Sequence, residues 1–155
     1  MYLKTKGVDF RYPFIETLNE IGGEKDLIVT MDVGFSFLEK FKGKVLNFGV
    51  TEQSSMIIAA ALGLEGFRSW IYSMIPFVTF RVHEMIRNAV CLHKANVKIV
   101  GVKGSEKYKF LGFSHNLLYD NEEVDWLEKL PGMKVRLPQN NEQVRGAIIA
   151  AYQHQ

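Results

Sequence analysis

The sequence has little of what marks several large classes of protein. Its 155 residues include one cysteine, Cys91, which excludes an internal disulfide and a cysteine-rich zinc site. Because Cys91 falls within an apolar helical pattern, we expect a buried thiol. The first seven residues hold no apolar signal-peptide core, and Glu65 interrupts the most hydrophobic predicted helix, so neither secretion nor membrane spanning is indicated. A cytoplasmic protein is expected.

Charge and short motifs are equally sparse. The chain carries 19 Lys+Arg against 17 Asp+Glu, a formal net charge of +2, which is too balanced for a nucleic-acid or membrane-surface partner. It has no Walker loop, no G-x-G-x-x-G and no His/Cys metal spacing. Hydrophobic residues make up 47%, enough to fill one core. We expect a single domain over 1–155 without a recognisable phosphate or metal site of its own.

Strand and helix patterns alternate along the whole chain. Apolar β-branched runs predict strands at 27–31, 44–48, 67–72, 96–102 and 133–137, and apolar residues at helical spacing predict helices at 9–21, 51–64, 76–93, 121–130 and 140–152. This order is typical of an α/β fold with a three-layer, doubly wound, mostly parallel sheet and helices on both faces. Ligands of such folds bind beyond the carboxyl ends of the strands.

The end of the chain does not complete this pattern. The sequence stops soon after its last helix, where a doubly wound domain usually adds another strand. Either the sequence is a fragment truncated before its last strand, or that strand comes from elsewhere.

One turn places a carboxylate at the mouth of the predicted sheet. The segment 47–53 ends a strand at Gly49, offers Thr51 as a helix cap and puts Glu52 in the first helical turn. By itself, Glu52 is also explained as a complement to the helix dipole, worth about 0.3–1 kcal/mol. The residues alone leave both interpretations open.

Aromatic and histidine side chains supply the other candidates. Phe77 and Phe80 lie three apart, so their rings can share one helix face, either as core or as a stacking surface. His115 lies in the long loop 103–116, which is either a solvated surface or a functional loop over the sheet edge.

Taken together, these segments resemble a known family. Phe48-Gly49-Val50-Thr51-Glu52-Gln53 is similar to the "G-(I/V)-x-E-(Q/H)" segment of transketolases and their thiamine-diphosphate-dependent relatives. Between residue 26 and the end of the chain, further segments resemble the same family in nearly the same order and spacing. These segments are 59–68, 72–73, 77, 86–90, 96–102, 112–115 and 130–133. The resemblance implies the pyrimidine-binding domain of the thiamine-diphosphate-binding fold.

The resemblance also implies roles for particular residues. The glutamate matching Glu52 hydrogen-bonds N1′ of the cofactor's aminopyrimidine and so activates the cofactor. Residues matching Phe77 and Phe80 stack on the pyrimidine, and His83 stands where a third aromatic residue often lies. The histidine matching His115 faces the donor substrate. Glu52 and His115 are therefore the expected catalytic residues, and Glu52, Phe77, Phe80 and His83 the expected cofactor contacts.

What the chain lacks points to a split enzyme. In the family, a Gly-Asp-Gly segment binds the divalent metal, Mg²⁺ or similar, that holds the diphosphate, and no such segment occurs here. The resemblance therefore implies a separate diphosphate-binding, N-terminal-section subunit, a dimer of heterodimers, and transfer of a two-carbon ketol unit between sugars or sugar phosphates. The family's third, C-terminal domain is also absent, which fits either a truncated piece or a short subunit.

Two alternatives stay open. One is a subunit similar to 1-deoxyxylulose-phosphate synthase or to 2-oxoacid decarboxylases and dehydrogenases, which share the glutamate. The other is a degenerate, non-catalytic binding or structural partner. Leu111 and Phe113 stand where many sugar-phosphate transketolases have an acidic residue and proline, so recognition of the usual sugar hydroxyls is in question. Lys103, Lys107 and Lys109 make the loop basic, which suits either a phosphorylated substrate or solvent.

Overall fold

A computed structural model describes residues 9–31, 36–102 and 106–154, without the side chains of 106–109. Four strands form the sheet: β1 (Asp26–Thr30), β2 (Lys44–Asn47), β3 (Arg68–Met74) and β4 (Val97–Val102). The α-helices are α1 (Arg11–Ile21), α2 (Glu52–Leu64), α3 (Ile75–Val78), α4 (His83–Met85), α5 (Val124–Leu127) and α6 (Asn141–Gln153). Three-ten helices span Ser36–Lys40, Phe80–Val82 and Glu106–Ser114, and a π-helix spans Ile86–Leu92.

The sheet is parallel throughout its described strands. Its order is β2-β1-β3-β4, and Val29 of β1 lies opposite Leu46 of β2 and Ile71 of β3. All five residues of β1 are buried, as expected of a central parallel strand that is covered on both faces. The carboxyl ends of the four strands therefore meet at one edge.

Helices cover both faces of the sheet, because successive strand residues point to opposite sides. On one face Ile28, Trp70 and Tyr72 pack in a cluster that α1 and α6 complete, with Phe14, Leu18, Val144 and Ile148. On the other face Val29 and Ile71 pack with residues of α2 and the π-helix, namely Met56, Ala59, Ala60, Ile86 and Val90. The predicted three-layer, doubly wound fold is confirmed.

The predicted helix over 76–93 is wrong as a single helix. The segment divides into α3, a three-ten turn, α4 and the π-helix. Thr79 breaks the first turn with φ −125° and ψ −77°, and its hydroxyl donates to the Ile75 carbonyl oxygen at 2.7 Å. Such a bond from a threonine side chain competes with regular helical hydrogen bonding. The break sets the directions of the side chains on either side of it.

Two predictions near the carboxyl terminus are also corrected. The helix expected at 121–130 shortens to α5, and Asn121 has a positive φ of 62°. The strand expected at 133–137 pairs with no strand among the described residues, although Met133 and Val135 pack against the core. The alternation of apolar and charged residues there reports which side chains face the core and says nothing about backbone pairing.

A buried ion pair joins the amino ends of β1 and β3. The carboxylate of Asp26, 1% exposed, accepts hydrogen bonds from Arg68 at 2.9 and 3.1 Å, from Trp70 Nε1 at 3.1 Å and from the Gly23 amide at 2.8 Å. Burial raises the pKa of Asp26, but these hydrogen bonds outweigh burial and hold the pKa below its ordinary value. Arg68 also lies over the Tyr152 ring, so the pair ties α6 to the sheet.

We expect Asp26→Asn to lower the free energy of unfolding at neutral pH by roughly 2 kcal/mol, because it leaves the arginine without its counter-ion. Since the folded-state pKa of Asp26 is depressed, the carboxylate's contribution is complete above the unfolded value of 3.8 and disappears as the pH falls through the folded value. Denaturant unfolding between pH 3 and pH 7 should show a smaller acid-dependent loss in the variant than in the wild type.

The matched control is Glu20→Gln, which breaks the exposed pair between Glu20 and Arg145. Exposed pairs contribute about 0–1 kcal/mol, so this variant should unfold nearly as the wild type does. Equal losses from the two substitutions would contradict a special role for Asp26.

Candidate functional site

The site begins at the turn between β2 and α2, at the carboxyl edge of the sheet. Gly49 adopts a φ of +67°, a conformation that favours glycine, and its amide donates to Asn47 Oδ1 at 2.9 Å. Thr51 occupies the position before the helix, but its side chain does not cap it, contrary to the sequence-based expectation. The Thr51 hydroxyl donates instead to the Phe48 carbonyl oxygen at 3.0 Å. The turn is thus held by its own residues.

Glu52 is the first residue of α2, and its carboxylate is nearly covered. The side chain is 12% exposed, and Arg81 Nη1 donates to Glu52 Oε1 at 2.5 Å. The first turn of a helix favours a negative charge, and the guanidinium favours it further. The structure thus places a carboxylate where ligands of parallel sheets bind.

Phe77 is buried and contacts the arginine that pairs with Glu52. The ring is 5% exposed, and the guanidinium carbon of Arg81 lies 4.2 Å from its centroid. Arginine stacks readily on aromatic faces in this way. Phe77 is therefore linked to Glu52 through Arg81.

Phe80 has different surroundings from Phe77, because the backbone break at Thr79 lies between them. Its ring is half-exposed, lies 6.3 Å from the Trp126 ring and lines a surface cavity. His83 also packs on Trp126, with ring centroids 4.1 Å apart. These two predicted cofactor contacts thus share Trp126 as a neighbour rather than Glu52.

His115 approaches the site from the loop after β4. Its ring meets the edge of Phe77 at a centroid distance of 4.9 Å and an angle of 75°. The Ser114 hydroxyl lies 2.7 Å from His115 Nδ1, and the donor in this bond depends on the tautomer of the ring. Just before this pair, Gly112 has a φ of +69° that turns the chain. His115 therefore contacts Phe77 directly, and Phe77 is joined to Glu52 through Arg81.

A cavity of about 430 Å³ opens next to these residues. Its walls mix apolar groups with a few polar ones, as small-molecule sites commonly do, and comprise Pro76, Phe80, Arg81, Phe113, Ser114, Asn116, Leu118 and Glu122. Among the polar groups, Glu122 accepts a hydrogen bond from the Leu118 amide and Asn116 donates to the Gly112 carbonyl oxygen. The cavity is large enough for a sugar-sized ligand.

Sequence reasoning missed two residues of this region. Arg81 joins Glu52 to Phe77, but one arginine inside a helical pattern carries no local signal of that role. Trp126 supports Phe80 and His83, and its buried indole Nε1–H has no hydrogen-bond acceptor among the described residues. The only signal in the sequence was a large aromatic residue soon after the long loop 103–116. Such a residue is also typical of an ordinary core.

The described residues also bear on the expectations about a metal site, a membrane span, the basic loop and Cys91. Within the part of the chain that the structure describes, no group of three or more His, Cys, Asp or Glu side chains is arranged to hold a metal ion. No helix in that part has the length and hydropathy that a bilayer crossing requires.

Of the basic loop, Lys103 lies outside the described residues, as do the side chains of Lys107 and Lys109. Cys91 is buried, as predicted, and burial raises the pKa of its thiol.

Comparison with known proteins gives consistent matches. The chain is 30% identical to one of the subunits of the apulose-4-phosphate transketolase of Phocaeicola vulgatus over 145 residues, covering 89% of this chain and 46% of the relative. It is 30% identical to a putative transketolase C-terminal section of Methanocaldococcus jannaschii, covering 97% of this chain and 50% of the relative. A 1-deoxy-D-xylulose-5-phosphate synthase of Kitasatospora griseola is 28% identical, with 92% and 23% covered.

A solved structure matches the fold as well. It is described as a split-gene transketolase in an inactive β4 tetramer, and it aligns with a TM-score of 0.75 and 26% identity, covering 94% of this chain and 48% of that one. The chain thus spans about half the length of the split-transketolase relatives that it matches.

The family model described as "Transketolase, pyrimidine binding domain" matches residues 2–155, which is nearly the whole chain. The turn before Glu52, the parallel sheet and the relatives agree with this match. The chain therefore belongs to the transketolase pyrimidine-binding-domain family.

Proposed function

We propose that this chain is the pyrimidine-binding part of a split, thiamine-diphosphate-dependent transketolase. It acts as a single domain, and a partner subunit of the N-terminal-section type supplies the diphosphate and Mg²⁺ site in a dimer of heterodimers. The reaction is transfer of a two-carbon ketol unit between sugars or sugar phosphates. The observation that carries the proposal is the nearly covered carboxylate of Glu52, linked through Arg81 to Phe77 and His115 at the carboxyl edge of a parallel sheet.

The residues of the site fit an aminopyrimidine ring. The guanidinium of Arg81 is planar and rich in donors, and it meets both the Glu52 carboxylate and the Phe77 face. An aminopyrimidine is likewise planar, and its ring nitrogen N1′ donates a hydrogen bond when it is protonated. Glu52 and Phe77 are therefore arranged to hold a group of this shape and polarity.

Each residue has a defined task in the proposed reaction. When bound, thiamine diphosphate supplies the nucleophilic carbon that attacks the carbonyl of the donor sugar. Glu52 would accept a hydrogen bond from N1′ of the pyrimidine once N1′ is protonated, and the small exposure of the carboxylate would keep water away from that bond. His115, which lies against Phe77, donates or accepts a proton at a substrate oxygen. Phe80 forms a wall of the cavity that receives the substrate.

The similarity to a synthase supports one alternative reaction. The relative from Kitasatospora griseola carries the name 1-deoxy-D-xylulose-5-phosphate synthase. An enzyme of that kind, or one that acts on 2-oxoacids, would use the same carboxylate. Supplying either a ketose or a 2-oxoacid to the assembled complex, and measuring which one is consumed, distinguishes the two reactions.

We expect Glu52→Gln to lower kcat/KM for ketol transfer about 1,000-fold in the complex with the partner subunit, because an amide cannot stabilise the protonated N1′ as a carboxylate does. The measurement is steady-state kinetics with a ketose donor and an aldehyde acceptor. Glu65→Gln is the matched control, since Glu65 directly follows the other end of α2 and is exposed. Activity of Glu52→Gln within threefold of that control would contradict the proposed role.

We expect His115→Gln to lower kcat about 100-fold while the dissociation constant of the cofactor changes little, since this side chain serves the substrate. Kinetics and calorimetry on the same complex separate the two quantities. His93→Gln, at an exposed histidine after the π-helix, should retain wild-type kinetics. If His115→Gln chiefly weakens cofactor binding, the residue holds the cofactor and not the substrate.

A further inference from the structure

Arg81 lies between the proposed cofactor residues and the cavity. Its guanidinium contacts the carboxylate of Glu52 at 2.5 Å and lies over the ring of Phe77 at 4.2 Å. Arg81 lines the cavity, whereas Glu52 and Phe77 do not. A group that enters the cavity therefore meets the arginine before it meets the carboxylate.

The two contacts of Arg81 are those that the proposed function assigns to the pyrimidine. A ring that is hydrogen-bonded to Oε1 of Glu52 and stacked on the covered face of Phe77 would take the position that the guanidinium now holds. Two planar groups cannot occupy one stacking position, because interiors exclude overlapping atoms. The arginine has to leave before a ring can take that position.

Arg81 is partly exposed and shares a cavity with a second acidic residue. Its side chain is 43% exposed, and it projects from a short three-ten turn between irregular backbone at Thr79 and Val82. Its carbonyl oxygen accepts a long bond, 3.4 Å, from Gln53 Nε2. Glu122 lines the same cavity, and its carboxylate accepts a hydrogen bond from the Leu118 amide. A displaced guanidinium would approach this acidic group.

From this arrangement we propose that Arg81 is a gate, which occupies the pyrimidine subsite until the cofactor displaces it toward the cavity wall that holds Glu122. The proposal rests on the proposed function, because the competing ligand is the aminopyrimidine of thiamine diphosphate. The displaced contact is a partly exposed ion pair, so its loss changes affinity by a small factor.

The test is calorimetric titration of the complex with thiamine diphosphate in the presence of Mg²⁺. Arg81→Met removes the guanidinium but keeps an unbranched side chain, and we expect it to lower the dissociation constant about fivefold, as loss of a weak competing ion pair predicts. Arg81→Lys keeps a cation near Glu52 and should bind nearly as the wild type does. Arg87→Met, at an exposed arginine that donates to Asn88, is the matched control and should leave affinity unchanged.

A crystal structure of the cofactor-loaded complex provides the second readout. The gate requires Arg81 to have left both Glu52 and Phe77. If the cofactor is bound while Arg81 keeps both contacts, or if Arg81→Met binds the cofactor no more tightly than the wild type, the gate is overturned and the proposed function stands. If neither the wild type nor any variant binds the cofactor, the proposed function is overturned and the gate falls with it.

Discussion

The constraint on which this molecule depends is that four parallel strands end at one edge of a buried sheet. Parallel strands require long crossovers, so each strand is followed by a segment that starts at this edge and returns over one face. Glu52 lies in the crossover after β2, Phe77 in the crossover after β3, and His115 in the loop that follows β4. Residues far apart in sequence therefore meet there, and an enclosed carboxylate becomes possible.

Side-chain contacts at the opposite edge of the sheet, where the strands begin, support this arrangement. Asp26, Arg68 and Trp70 tie the amino ends of β1 and β3 together, and Arg68 reaches Tyr152 of α6. Fixed amino ends and a shared register place the carboxyl ends at set distances from one another. The turns that carry the site depart from regular geometry, as the segment around Thr79 shows.

The break at Thr79 has a functional consequence. A continuous helix over this segment would place the side chains of Phe77, Phe80 and Arg81 by helical geometry alone. The interrupted backbone instead lets Phe77 enter the core, Phe80 line the cavity and Arg81 bridge to Glu52. Irregular helical geometry and π-helical turns are common at functional sites for this reason. Here they separate the buried ring of Phe77 from the cavity-lining ring of Phe80.

The amino-acid sequence by itself determined the fold class and the position of Glu52, because both depend on local patterns. Apolar runs, helical spacing and the Gly49 turn are read over a few residues, and the alternation of strands and helices leaves few topologies. Those patterns placed β1 to β4, α1, α2 and α6 within two residues of the observed bounds. Only the tertiary structure decided that Arg81 joins Glu52 to Phe77, that His115 reaches Phe77, and that 133–137 packs without pairing. These outcomes depend on distances between segments that are remote in sequence, and such distances are set by packing of the whole core rather than by local preference.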